Sequence, residues 1–206
     1  MANFPKVLIG IVTCERYKDT RLKSQVDTWI PRALKLGWDV KAFTGTSLYV
    51  LDTYDALSAK TKALCTWAYV HGYDYLLKTD DDTFIYPDRL TIPTADYCGV
   101  RVAANDGGNP DIKREPMPDG TYPFTYASGG CYWLSRTAMH VIATTPLNSH
   151  EDWAEDRWVG NTLGRAGISL HDLPRFGIVD RPPVPEDAET VAQLRIEHIY
   201  GLGRLE

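Results

Sequence analysis

Cysteine and histidine are scarce in this 206-residue chain, with four and five residues respectively. Cys14, Cys65, Cys98 and Cys131 are widely spaced and each lies in an apolar context. That pattern argues against a disulfide framework or a zinc site and for buried thiols in a reducing compartment. Positive charge is also in deficit, with 22 Lys and Arg against 27 Asp and Glu, a net charge of −5 and a pI near 5.5. No Lys/Arg cluster offsets that balance, so nucleic acid is not an expected partner. No apolar run reaches the length of a membrane span, and Met1 to Lys6 carry neither the basic flank nor the long apolar segment of a signal peptide. A soluble, cytoplasmic protein is expected. Internal repeats and low-complexity tracts are absent too. What remains is a chain with 44% hydrophobic residues, enough to bury one substantial core. It fits one α/β domain, or such a domain with a small appendage.

Along the chain, Lys6 to Thr13 is a continuous apolar run of strand length, suited to a strand buried on both faces. Leu22, Val26, Trp29, Ile30 and Ala33 recur at helical spacing, with Gly37 where such a helix would stop. Val40 to Thr44 is a second strand candidate. Leu57, Leu64, Cys65 and Ala68 form the stripe of a further helix that stops at His71-Gly72. Residues 105–123 are rich in Gly, Pro and Asp without periodicity, which reads as a functional lid or a disordered segment. Tyr126 to Leu134 reads as a strand interrupted by Gly129-Gly130, followed by a helix to about Ala143. Ser149 and Asp152 match a capping-box spacing ahead of a helix through Leu163, and the Pro-rich stretch from Arg181 reads as a linker or crossover. Alternating strands and helices predict an α/β sheet, with ligands beyond the carboxyl ends of its strands.

Asp80, Asp81 and Asp82 stand at such an end, between Tyr75-Leu76-Leu77-Lys78-Thr79 and Phe84-Ile85-Tyr86. Continued strand alternation puts Asp80 and Asp82 on one side and Asp81 on the other. Paired carboxylates are costly unless a cation neutralises them, and hard oxygen ligands suit Mg²⁺ or Mn²⁺. An acidic triplet also occurs as a solvated turn, so the triplet alone leaves both readings open. No EF-hand spacing supports a calcium loop, and a prenyl-synthase type motif belongs on a helix.

The segment YLLKTDDDTFIY, Tyr75 to Tyr86, resembles the acidic metal motif of GT-A nucleotide-sugar glycosyltransferases. Thr13 to Pro31 is similar to the first loop and helix of the Fringe and β-1,3-galactosyltransferase superfamily, with its Arg-Leu and Thr-Trp-Ile. Asp52-x-Tyr54-x-x-Leu57-x-x-Lys60-Thr61, Tyr126 to Ser135 and Glu155-Asp156-x-x-Val159-Gly160 resemble three further signatures in the family order. Val26 stands where many galactosyltransferases carry arginine, the form closer to Fringe. The anchor and disulfides of Golgi members have no counterpart, which points toward soluble enzymes such as those encoded by algal viruses, working in the host cytoplasm.

The resemblance implies a single GT-A domain over 1–206, a Rossmann-like mixed sheet flanked by helices. Residues 1–100 form its nucleotide-binding half, and 101–206 its acceptor-binding half and tail. It implies an inverting hexosyltransferase that uses a UDP-sugar with Mn²⁺ or Mg²⁺ and a glycan or glycoprotein acceptor. A metal-dependent phosphohydrolase or nucleotidyltransferase, or a noncatalytic sugar-binding module, are the alternatives. By resemblance Asp82 holds the metal, Asp80 reaches the ribose or a metal-bound water, and Asp81 caps the turn or contacts the nucleotide. His198 is preferred over His171 as a third ligand. Thr13, Arg21, Lys60 and Arg204 are candidates for the nucleotide or diphosphate, against solvated surface charge as the plain alternative. Gly129 and Gly130 let a sugar approach the backbone, or form only a β-bulge. Of Tyr132, Trp133, Trp153 and Trp158, one is expected to stack on a pyranose and the rest to be core. Asp156 falls in phase with Trp153, Gly160, Leu163 and Gly167 on a buried stripe. It reads as the general base, or as an ion-pair partner of Arg157 or Arg165.

Overall fold

The computed structural model describes residues 4–102, 125–147 and 154–173, together with the backbone of 192–194. The long loop at 105–123, the Ser149/Asp152 capping box, His150, Trp153, His198, Arg204 and most of the tail beyond Arg181 lie outside the described residues. In chain order the strands are β1 Val7–Val12, β2 Asp39–Phe43, β3 Tyr75–Asp80, β4 Thr83–Ile85, β5 Tyr97–Val102, β6 Tyr126–Ser135, β7 His171–Asp172 and β8 Ala192–Leu194. The helices are α1 Lys23–Asp27, α2 Ile30–Lys35, α3 Gly45–Leu48, α4 Leu57–Val70, α5 Arg136–Thr144 and α6 Glu155–Arg165.

One six-stranded sheet has the order β2-β1-β3-β6-β5-β7. β1 pairs in parallel with β2 and β3, while β6 runs antiparallel to β3 and β5. The sheet is therefore mixed, as expected, with one reversed strand inside it. Alternation along β1 and β3 sends Leu8 and Leu76 to the layer of α4, α5 and α6, and Ile9 and Leu77 to the layer of α2. Both faces are buried, which is why these strands read as unbroken apolar runs.

The expected helix from Leu22 to Gly37 is broken. A π-helical turn over Lys18–Leu22 runs into α1, the chain kinks at Thr28, and α2 restarts with Pro31 in its first turn. Proline fixes φ and lacks a donor, so it suits a helix start and opposes a helix interior. Val26, placed by its spacing on the apolar stripe, is exposed instead.

The acidic triplet also departs from expectation. β3 ends at Asp80, Asp81 and Asp82 turn, and β4 begins at Thr83. Strand alternation therefore does not place Asp80 beside Asp82. β4 pairs antiparallel with β8, setting Thr83 opposite Leu194, so a stretch of the C-terminal tail lies alongside the acidic turn.

α6 starts at Glu155 with Ala154 as a cap lacking a side-chain hydrogen bond, later than the capping-box spacing implies. It packs close to β6 because position 160 is glycine: a Cβ there would lie 2.3 Å from Tyr126 Cβ. That contact brings the first turn of α6 onto the Gly129-Gly130 stretch of β6, where the β5 pairing shifts register.

Candidate active site

A cleft of about 520 Å³ opens at the carboxyl ends of β1 and β3, lined by Thr13, Cys14, Tyr17, Arg21, Lys60 and the three aspartates among others. Parallel neighbours ending together, with Val12 beside Asp80, create this position.

Thr13 is buried at the end of β1 and donates through Oγ1 to Asp81 Oδ2 at 2.7 Å. Arg21 Nη1 lies 3.5 Å from Asp81 Oδ1 and 3.7 Å from Asp82 Oδ2, and its guanidinium stacks on Tyr17 at 4.1 Å. Asp81 is thus a buried member of the cleft and more than a turn cap. Burial raises its carboxyl to about 6, although Thr13 and Arg21 pull the other way. Lys60 is buried, and its ammonium donates to Asp52 Oδ1 at 2.6 Å and to the Thr13 carbonyl at 3.0 Å. Asp52 also accepts from the backbone N–H groups of Glu15 and Gly45, at 3.0 and 2.8 Å. Burial opposes the Asp52 charge, but these partners hold its carboxyl below the usual range. The Asp52–Lys60 pair braces the cleft wall, so Lys60 meets a ligand with much of its donor capacity engaged.

Lys78, a residue absent from the expected site, also holds Asp80. It lies in the middle of β3 with its side chain 3% exposed. Its Nζ donates to Asp80 Oδ1 at 2.7 Å and to the Gly129 carbonyl, and lies 3.5 Å from Glu155 Oε2. Burial disfavours its charge, yet Asp80 and Glu155 outweigh that and raise its proton affinity. Glu155 Oε1 accepts from Thr61 Oγ1 at 2.9 Å and from the Tyr132 hydroxyl. Burial pushes the Glu155 carboxyl up against the pull of Lys78. A lysine within a two-faced buried strand is itself a signal, because such a charge requires a partner.

Asp156 takes the next position on α6 and is half-buried, and the buried carboxylate of the two is Glu155. Gly167, assigned by phase to the same buried stripe, is exposed. Asp156 Oδ1 accepts from the Arg157 backbone N–H at 2.8 Å. Burial raises its proton affinity, partly offset by that bond, by Lys78 and by the nearby Gly129 N–H. A Cβ at Gly129 would approach Asp156 Cβ to 3.5 Å and Glu155 Oε2 to 3.4 Å, so the missing side chain keeps this gap open. Gly130 uses its carbonyl to accept from Thr79 and Thr83 hydroxyls at 3.3 and 2.9 Å.

Tyr132, Trp133 and Trp158 are buried in the core, so none of the three offers a ring to a sugar. His171 lies exposed on the edge strand β7. Cys65, Cys98 and Cys131 are buried free thiols, whereas the free Cys14 is half-buried in the cleft wall. Among the described residues no three His, Cys, Asp or Glu side chains converge on one metal position. The same residues include no helix long and apolar enough to cross a membrane.

The carboxylate set still suits a hard divalent ion. Mg²⁺ and similar ions are commonly held by one or two carboxylates, with substrate phosphates and water completing the shell. Asp80, Asp81 and Asp82 offer only hard oxygens at the cleft mouth.

The fold has a counterpart in the crystal structure of a glycosyltransferase involved in the glycosylation of the major capsid of PBCV-1. Similarity there reaches a TM-score of 0.54 at 12% identity, covering 96% of this chain and 100% of that one. The catalytic domain of Drosophila β1,4-galactosyltransferase 7, solved with xylobiose, gives a TM-score of 0.45 at 12% identity, over 82% of this chain and 65% of that one. At such identity the likeness to the first of these concerns the fold alone. The sequence itself matches the galactosyltransferase family model over residues 47–174, a span that contains the acidic turn, Lys78, the Gly129-Gly130 stretch and Asp156. That match selects glycosyl transfer over phosphate hydrolysis or simple sugar binding, and the chain belongs to the galactosyltransferase family.

Proposed function

We propose that this glycosyltransferase is a metal-dependent, inverting enzyme that moves a hexose from a UDP-sugar to a hydroxyl of a glycan or glycoprotein acceptor. One observation carries the reading: Lys78 Nζ joins Asp80 of the acidic turn to the Gly129 carbonyl, and Gly129 faces Asp156, whose Cβ lies 3.5 Å from where a Cβ on that glycine would stand. A donor-anchoring group and a proton acceptor thus share one site.

On this reading Asp82, with Asp80, would hold Mn²⁺ or Mg²⁺ against the diphosphate. His198 would be the third ligand. When bound, the ion supplies Lewis-acid stabilisation of the departing diphosphate. Thr13, Arg21, Lys60 and Asp81 shape the nucleotide cleft, where Arg21 offers a guanidinium to phosphate oxygens. Arg204 of the tail is assigned to the same donor. Gly129 and Gly130 leave room for the sugar. Asp156, held by the Arg157 backbone N–H and raised in proton affinity by burial, accepts the proton of the acceptor hydroxyl as its oxygen attacks the anomeric carbon. One carboxylate activating one nucleophile implies a single in-line displacement with inversion. The reading takes residues 1–100 as the nucleotide half and 101–206 as the acceptor half. Three buried free thiols support a cytoplasmic setting.

Asp156→Asn keeps the shape and removes the acceptor lone pair's basicity. Transfer is expected to fall by roughly two to four orders of magnitude while Mn²⁺-dependent UDP affinity persists. Product NMR should show an inverted anomeric configuration. Retention, or near-normal transfer by the variant, overturns the assignment of the base.

A further inference from the structure

We infer that Gln25 is a positioning residue whose carboxamide fixes the backbone of the acidic turn and so sets how Asp81 and Asp82 are presented to the donor. The inference rests on the reading above of that turn as the seat of metal and diphosphate. Gln25 is fully buried in α1, at a place where an apolar side chain would be the ordinary occupant. Its Nε2 donates to the Asp80 carbonyl at 3.0 Å and to the Thr83 carbonyl at 3.2 Å, spanning the turn from its first residue to its last. A flipped amide would set Oε1 against two carbonyl oxygens, so chemistry fixes its orientation.

The other end of the amide has a cost. Oε1 is buried with no hydrogen-bond partner among the described residues. Buried orphan acceptors are rare, and an unbranched apolar side chain would fill the same space without one. Packing therefore does not account for glutamine here, whereas the two donations across the turn do. Arg21 precedes Gln25 by one helical turn and reaches the carboxylates of Asp81 and Asp82. Tyr17, four residues earlier again, stacks on Arg21. The π-helical turn at Lys18–Leu22 lies within this stripe, and such turns are frequent at functional sites. One helical face thus grips the acidic turn twice, through side chains by Arg21 and through backbone by Gln25.

Gln25→Met keeps side-chain length and removes the amide. In metal-free protein, hydrogen exchange of the backbone across 79–86 should quicken about tenfold while α4 is unchanged. The Kd for UDP with Mn²⁺ should rise ~10-fold and the acceptor KM should hold. Gln25→Glu, which can donate at most one proton, should fall between Met and the wild type, and it serves if the Met variant does not fold. Unchanged local exchange with unchanged UDP affinity overturns the inference, as does a uniform rise in exchange across all elements, which would mark a purely structural loss. Absence of Mn²⁺-dependent UDP binding in the wild type would remove the donor reading instead, and the exchange of residues 79–86 still decides the clamp.

Discussion

Replacing Lys78 by methionine tests whether the buried cation is what makes the site's carboxylates tolerable. Lys78 and Glu155 have side chains 3% and 7% exposed, so removing the ammonium strands a carboxylate that has little water to turn to. Breaking one partner of a buried pair costs about 3–5 kcal/mol. Asp80 adds little, because its side chain is 36% exposed and screened by solvent. The lower end, about 3 kcal/mol, is expected near pH 7.5, since Thr61 and Tyr132 still donate to Glu155. For a chain of this size that corresponds to a loss of roughly 6–12 °C in Tm.

The sign of the pH dependence separates this cause from simple loss of packing. Without Lys78, burial and the charges of Asp80 and Asp156 outweigh the Tyr132 hydrogen bond at Glu155, so the folded state holds its proton to higher pH than the unfolded state does. The folded state then binds more protons, and stability falls as pH rises above the unfolded carboxyl value of about 4.3. The deficit of Lys78→Met against wild type should therefore shrink toward pH 5. Glu155→Gln in the same chain should restore more than half of it, because the amide oxygen still accepts from Thr61 and Tyr132. Urea unfolding followed by circular dichroism in EDTA, at pH 5 and 7.5, measures all three proteins. A deficit independent of pH, or a double variant weaker than Lys78→Met, would refute the charge-compensation argument.

Asp82→Asn should weaken Mn²⁺-dependent UDP binding at least tenfold by calorimetry and leave Tm nearly unchanged, since its carboxylate is partly solvated at the cleft mouth. Asp81→Asn should do the opposite to stability in EDTA. A rise of its carboxyl from 3.8 to about 6 means the ionised form costs at most roughly 3 kcal/mol, felt above pH 6 and absent below about pH 4. The Asn variant should therefore unfold at higher urea than wild type at pH 8, and equal stability there would show that Arg21 and Thr13 fully offset the charge.

The parts of the fold legible in the sequence are those with a local signature. β1 and β3 show as apolar runs because both faces are covered, and α4 shows because Leu64, Cys65 and Ala68 repeat at its period. β5 follows a stretch of Pro, Thr and Asp and has only six residues with a glycine among them, so no period marks it. β7 is two residues long and β8 three, too short for any pattern. The break at Thr28 was hidden by a spacing that ran through it. At the site, the aspartates were conspicuous by type, but their directions were not, because the chain turns after Asp80 where a period of two assumes that it goes on. Lys78 and Glu155 lie 77 residues apart, and Gln25 lies 55 from Asp80. Their roles exist only once β3, α1 and α6 meet, and no window along the chain contains them.

The charges at this end of the cleft also bear on the order in which ligands arrive. Glu15, Asp52, Asp80, Asp81 and Asp82 line it against Arg16, Arg21 and Lys60, and Lys60 already answers Asp52. A diphosphate entering alone meets that excess at short range, where burial weakens screening. On the proposed reading each ligand removes the other's obstacle: the cation lowers the repulsion against phosphate, and phosphate oxygens complete a shell that the described carboxylates leave open. Binding free energies that change in this way must change by the same factor in both directions. UDP should therefore tighten Mn²⁺ binding by the same factor by which Mn²⁺ tightens UDP. UDP binding that is equally tight with and without Mn²⁺ would mean that the nucleotide and the acidic turn do not share one site.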